Sequence, residues 1–150
     1  MMSLREIRRF NIFYEFFFNY LKKKKEKNLE LFDKVTNKKD NFYQKLDQLA
    51  LQKYSVILAV FVCYYLRITD NESRKKLQEK MNETLVKYDI YFKGKDFLDV
   101  PQREELFVVN NINLEKGIAK NRALLDNIFS LFVAINKKVP IFIVGKIWLS

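Results

Sequence analysis

Apolar positions along most of this chain recur at three and four residues, the spacing that lines one side of an α-helix. The first such stretch is residues 3–27, with Ile7, Phe10, Phe13 or Tyr14, Phe17 and Leu21 on the stripe. Ser3 and Glu6 stand at capping-box spacing, where each side chain satisfies an amide at the helix start. Other aromatic positions lie off the stripe, so this helix is expected to be buried on more than one side. Residues 28–39 are polar with scattered Leu29, Leu31, Phe32 and Val35, which reads as a short helix or a loop. Asp40 then opens the longest helical pattern: Tyr43, Leu46, Leu49 or Ala50, Tyr54, Ile57, Val60 or Phe61, Tyr64 and Ile68. Towards Arg67 the run becomes apolar all round, which predicts a central position for its second half.

Thr69 and Glu72 repeat the capping-box spacing ahead of a charged helix over roughly 71–88, with Leu77, Met81, Leu85 and Tyr88 as its stripe. Ile90 to Gly94 reads as a connector. Asp99 is the expected N-cap of a short helix reaching about Asn110, with Pro101 in its first turn. Residues 110–117 read as a loop. Gly117 is expected to open a strong helix over 118–138, with Ile118, Leu125, Ile128 or Phe129, Phe132 and Ile135 as its stripe, widened by Leu124 and Leu131. Lys137 and Lys138 suit its C-terminal dipole, and Pro140 blocks its continuation. Ile141, Phe142, Ile143 and Val144 then form a short apolar run ending in Gly145, the pattern of a strand buried on both faces, as in parallel α/β sheets. The expected fold is mainly α: five or six helices and one C-terminal apolar strand that lacks sheet partners.

Only 3 Gly and 2 Pro occur in 150 residues, and 49% of residues are hydrophobic, which favours long helices and a real core over disorder. The net charge is +10, and residues 1–75, with 16 basic and 9 acidic groups, carry most of the excess. Its densest part is Lys22, Lys23, Lys24, Lys25 and Lys27, a run that reads as a solvated helix end and, in a second reading, as a contact for a membrane surface. The aromatics sit at core spacing, so no specific nucleic-acid platform is expected. The chain has no histidine, which removes His-dependent triads and the usual proton shuttle at neutral pH. Its one cysteine, Cys63, lies in an apolar run and reads as a buried, inert thiol in a reducing compartment. Adjacent Glu104 and Glu105 point apart on a helix and do not form a carboxylate pair. Asp96 and Asp99 read as turn and cap residues. Tyr54 to Leu66 is thirteen residues long, short of the roughly twenty that a span requires. Phe10 to Leu21 is broken by Glu15 and lacks a cleavage site, so neither run reads as a membrane or signal segment.

The chemistry-bearing pattern is the apolar strand, the glycine at its end and residues 146–150. A nucleotide-binding loop needs a glycine at the strand end, small residues next, and a Lys-Ser or Lys-Thr pair about six residues on. Gly145 fits the first position; Lys146 comes too early to be the phosphate lysine; and Ile147, Trp148 and Leu149 are bulky where backbone must approach phosphate. The stretch from Val100 to Lys146, above all Gly-Ile-Ala-Lys-Asn-Arg-Ala-Leu-Leu-Asp-Asn-Ile-Phe from Gly117 to Phe129 and Val-Pro-Ile-Phe-Ile-Val-Gly-Lys to Lys146, resembles the lead-in to an AAA+ module of the mysterin-type giant ATPases, which are also RING ubiquitin ligases. Val62 to Arg67 looks similar to the helix upstream of that module, so the resemblance covers about residues 50–146.

In that family the strand is followed by Gly-Lys-Pro-Gly-x-Ser-Lys-Ser. The resemblance therefore marks Gly145 and Lys146 as a remnant of the ATP loop. It implies residues 1–96 as a helical linker or bundle, 97–150 as the start of an AAA+ module cut off at the phosphate loop, and a cytoplasmic setting. It implies ATP and magnesium as cofactors of the complete family protein and none in this chain, no catalytic residues and no metal site here, and the AAA+ and ligase regions of the parent protein as partners. On this expectation the chain alone is inactive. The alternative is a small basic helical interaction module that binds a membrane surface or RNA.

Overall fold

A computed structural model describes residues 2–27, 42–88 and 96–142, together with the backbone of 31–33 and 38–40. The chain divides into two compact units, Met1–Arg103 and Glu104–Ser150. The described residues are mainly helical.

The first unit begins with α1, Leu4–Glu26. The capping box expected from Ser3 and Glu6 is present: the Glu6 amide donates to Ser3 Oγ at 3.3 Å and the Ser3 amide to Glu6 Oε2 at 3.0 Å. Residues 31–33 (β1) and 38–40 (β2) pair as antiparallel strands, with Leu31 opposite Asp40 and Asp33 opposite Lys38. The short helix or loop expected over 28–39 is thus corrected at these positions, and Asp40 closes a strand instead of opening a helix. The helix start comes later. The Asp47 carboxylate accepts the Ala50 amide at 2.7 Å and caps α2, Gln48–Cys63. Tyr43 and Leu46 keep the buried positions that the pattern assigns them, but in a 3₁₀ turn, Tyr43–Lys45, and the extended residue after it. A second 3₁₀ turn, Tyr65–Arg67, takes over where the pattern extended the helix.

α1 packs along α2. The two run antiparallel, since Lys25 near the end of α1 donates to the Leu46 carbonyl before α2, and Arg9 near its start lies close enough to Cys63 to act on its thiol. Phe13, Phe17 and Leu21 from α1 and Tyr54, Ile57, Leu58, Ala59 and Phe61 from α2 are buried, so the second half of α2 is central as expected. Burying one such large side chain contributes on the order of 1.5–3 kcal/mol. The buried hydroxyl of Ser55 donates to the Leu51 carbonyl at 2.6 Å, so burial does not strand this donor.

Lys24 departs from its expected place. It is 3% exposed, its ammonium donates to the Tyr43 hydroxyl at 2.8 Å, and it lies 4.3 and 4.7 Å from the ring centres of Tyr20 and Tyr43. An oxygen and two ring faces replace the hydration that burial removes.

α3, Asn71–Lys87, is capped by Asp70, whose carboxylate accepts the Ser73 amide at 2.7 Å. The box expected from Thr69 and Glu72 is therefore corrected by one residue: a carboxylate one position on reaches the same class of amide. Leu85 is buried, whereas Tyr88, expected on the stripe, is exposed. The connector expected from Ile90 to Gly94 lies outside the described residues. Beyond it, the chain is tied to α3 through polar groups. The Asp96 carboxylate accepts from the Gln78 and Asn82 side-chain amides at 2.8–3.0 Å, and Asn82 Oδ1 accepts the Phe97 amide at 2.6 Å. This places Phe97, fully buried, edge-on to Tyr65 with ring centres 6.0 Å apart. Asp99, expected as the N-cap, is instead the first residue of α4, Asp99–Asn110, and its carboxylate reaches back to accept the Asp96 amide at 3.2 Å; the two units divide within this helix.

In the second unit, the remainder of α4 and α5, Arg122–Lys137, are joined by residues 111–121. Gly117 does not open the helix. It sits in a turn at φ 96, a conformation that suits glycine, and α5 begins at Arg122 because the Asn121 side chain accepts the Leu124 amide at 2.9 Å. Ile118, expected on the stripe, is exposed in the loop. Leu125, Phe129 and Val133 form the buried stripe of α5, and Lys138 ends the helix in a left-handed conformation at φ 52. Ile141 and Phe142 are not in a strand; Ile143 and Val144, the rest of the expected strand, lie outside the described residues.

The buried ammonium and the Asp96 carboxylate each make a measurable contribution to stability. Tyr43→Phe takes an acceptor from the ammonium of Lys24 and is expected to cost about 1–3 kcal/mol, read as a lower urea midpoint; Lys24→Met, which removes the charge and keeps the stem, is expected to cost less. At Asp96, burial pushes the carboxyl up, but the Leu98 amide and the Gln78 and Asn82 side chains outweigh it and hold the group below the ordinary range. Its stabilising contribution is therefore complete above an unfolded value of about 4 and is lost as pH falls through the lower folded value. Urea midpoints measured across the acid range should show this loss in the wild-type chain and a shallower decline in Asp96→Asn.

Candidate functional site

Gly145 and Lys146, the positions that the resemblance marks for phosphate, lie outside the described residues. Within the second unit, the described chemistry ahead of them is a charged cluster between α4 and α5. Glu104 and Glu105 sit side by side on α4, and both are fully buried. Neighbouring helix positions are about 100° apart, so both fit within one wide buried arc. Arg122, the first residue of α5, donates through Nη2 to Glu105 and through Nε to Asp126 Oδ1 at 2.8 Å. Asp126 is itself buried, while the Arg122 side chain keeps 41% of its surface exposed. One guanidinium thus ties two carboxylates from two helices, and its planar fork suits that task. Glu105 Oε1 has no hydrogen-bond partner among the described residues.

This arrangement fixes α5 on α4. Glu104 and Glu105, expected to point apart on the helix, are both buried, and Glu105 makes the ion pair with Arg122. The burial of Glu105 was not legible, because its cation arrives from 17 residues away.

The lysine run is not uniform. Lys22, Lys23 and Lys27 are exposed; Lys24 is buried and Lys25 donates inward. Cys63 is buried, and desolvation pushes its thiol up to about 11 against the lowering effect of Arg9 and Arg67, which fits an inert residue. No group of three metal-ligating side chains occurs among the described residues. Among the described residues one run, Gln48–Arg67, is long and apolar enough to cross a membrane; half of it is buried inside the fold, as a core helix would be.

The family model for the RNF213 AAA domain matches residues 117–147. The chain is 33% identical over 93 residues to the E3 ubiquitin-protein ligase RNF213 of Homo sapiens, 30% over 92 residues to E3 ubiquitin-protein ligase rnf213-beta of Danio rerio, and 28% over 94 residues to the Mus musculus RNF213. These alignments cover 62%, 61% and 62% of this chain and 2% of each relative. No solved structure matches. The likenesses bear out the RNF213/mysterin-type resemblance, and the chain spans about 2% of the length of the curated relatives it matches.

Arg122 carries the cluster, so Arg122→Met, which keeps the stem and removes the fork, leaves Glu105 buried without its cation. A loss on the order of 3 kcal/mol is expected, with the amides of α5 exchanging faster by hydrogen exchange than those of α2. Equal protection of α5 in the variant and the wild type would overturn this assignment.

Proposed function

We propose that this chain is a segment of an RNF213/mysterin-type AAA ATPase and E3 ubiquitin ligase, acting as the helical lead-in to the first strand and phosphate loop of one AAA module. The observation that carries this reading is the match over 117–147, which begins in the turn before α5, takes in the whole helix and runs on through Gly145 and Lys146. A second feature supports it. α5 is apolar on more than one side: beyond its buried stripe, Leu131 and Ile135 are exposed and Phe142 after it is 92% exposed. A helix layered against a sheet needs apolar groups of that kind. In this reading the apolar run 141–144 supplies a strand once the sheet of the complete module is present, the working partners are the AAA and ligase regions of such a protein, and the setting is cytoplasmic.

Residues 147–150 do not fit a triphosphate. Isoleucine, tryptophan and leucine at 147–149 stand where small residues must let main-chain amides approach phosphate. Gly145 and Lys146 alone supply too few donors. In this reading residues 145–150 as they stand do not hold nucleotide at micromolar affinity.

The test is calorimetric titration with ATP and magnesium. The 150-residue chain should give no heat of binding in the micromolar range, and a chimera joined after Lys146 to the corresponding downstream AAA sequence of the human relative should bind. Micromolar affinity of the chain alone would overturn the reading of its C-terminal residues; a folded chimera that fails to bind would overturn the AAA assignment.

A further inference from the structure

We propose that the outward side of α1 docks on an anionic lipid surface, with Leu4 and Ile7 entering the interface and Arg5, Arg8, Lys22 and Lys23 meeting the headgroups. The proposal rests on which residues the fold consumes and which it leaves. Phe13, Phe17, Leu21 and Lys24 face inward and are buried. Leu4, Ile7, Asn11, Tyr14 and Phe18 succeed one another at alternating spacings of three and four, a stripe displaced around the helix from the buried one. Leu4 is 85% and Ile7 41% exposed, and Tyr14 and Phe18, stacked with ring centres 6.3 Å apart, are half-buried.

Charge selects the occupant. The exposed ionic groups of α1 and its C-cap are Arg5, Arg8, Lys22, Lys23 and Lys27 against Glu15 and Glu26, while Glu6 is engaged in the capping box. An apolar stripe bordered by an excess of Arg and Lys is the pattern of a helix lying in the plane of a membrane interface, where each basic group near an anionic surface adds to partitioning. A second copy of this chain would set the same basic groups against each other. Nucleic acid would use the charge but leave Leu4 and Ile7 without a role. The structure also narrows the lysine run: Lys24 is spent on Tyr20 and Tyr43 and Lys25 on the Leu46 carbonyl, so Lys22 and Lys23 remain for headgroups and Arg5 and Arg8 complete the set. This inference is independent of the AAA assignment.

The test is co-sedimentation of the full chain with phosphatidylcholine vesicles, with and without phosphatidylserine, alongside an oligouridylate RNA titration and the sedimentation mass of the free chain. Binding is expected with phosphatidylserine only. It should weaken at least tenfold in Arg5→Glu/Arg8→Glu and in Leu4→Ser/Ile7→Ser, both of which change exposed positions and should keep the wild-type helical circular dichroism. Equal binding to pure phosphatidylcholine, binding unaffected by either pair, or RNA binding lost in the charge variant with no vesicle binding would each overturn the proposal. So would a dimer that Leu4→Ser/Ile7→Ser dissociates without any effect on vesicles. Should a variant lose its circular dichroism signal, Lys22→Gln/Lys23→Gln supplies the charge arm and must still weaken binding.

Discussion

The antiparallel contact between α1 and α2 is the constraint on which the first unit depends. α2 is apolar around most of its second half and cannot stand in water, while α1 offers Phe13, Phe17 and Leu21 on one side. Closing the two helices against each other removes both liabilities together, and burial of this kind is the largest favourable contribution in folding. The pairing also explains the position of Lys24. The apolar stripe of α1 continues past Leu21 into a lysine, and the helix cannot rotate that residue outward without withdrawing the stripe. The turn before α2 supplies Tyr43, whose hydroxyl and ring take the ammonium. A lysine at a core position is tolerated because an aromatic alcohol stands opposite it.

Periodicity in the sequence reports burial more faithfully than it reports helix boundaries. Tyr43 and Leu46 fall on the helical spacing and are buried, but neither lies in the α-helix that comes after them. The spacing records which residues face the core; the helix start is decided by side chains that accept the first amides. Asp47, Asp70 and Asn121 each do so, at 2.7–2.9 Å. Thr69 lost to Asp70 and Gly117 to Asn121 because a short polar acceptor in extended conformation satisfies an amide that would otherwise face solvent alone. Ser3 was legible because no rival acceptor stood beside it and Glu6 completed the box.

Long-range polar pairing was the least legible layer. Asp96 reads as a turn residue from its neighbours, and it is one, yet its carboxylate also gathers Gln78 and Asn82 from α3. Glu105 reads only as one of two adjacent glutamates pointing apart on a helix, and its buried carboxylate is paired with Arg122. In both cases the partner is 14 or more residues away in sequence, and no local rule identifies it. The mysterin-type resemblance was legible for the opposite reason: it rests on a contiguous run of residues around α5.

These layers assign different work to the two units. In the second, two buried carboxylates and one arginine hold α5 in place, and the residues after α5 are those the RNF213 AAA match extends into. A helix anchored at its first residue can present its remaining apolar groups in a fixed orientation, which matters if a sheet is to form against it. In the first unit, the aromatic side of α1 is used up by α2, so whatever the opposite side does is free of the folding requirement. Basic residues there add little to stability, because exposed charges gain little from one another. Arg5 and Arg8, placed beside Leu4 and Ile7 at the start of the helix, gain nothing from its dipole, and the lipid-surface proposal gives their placement a role.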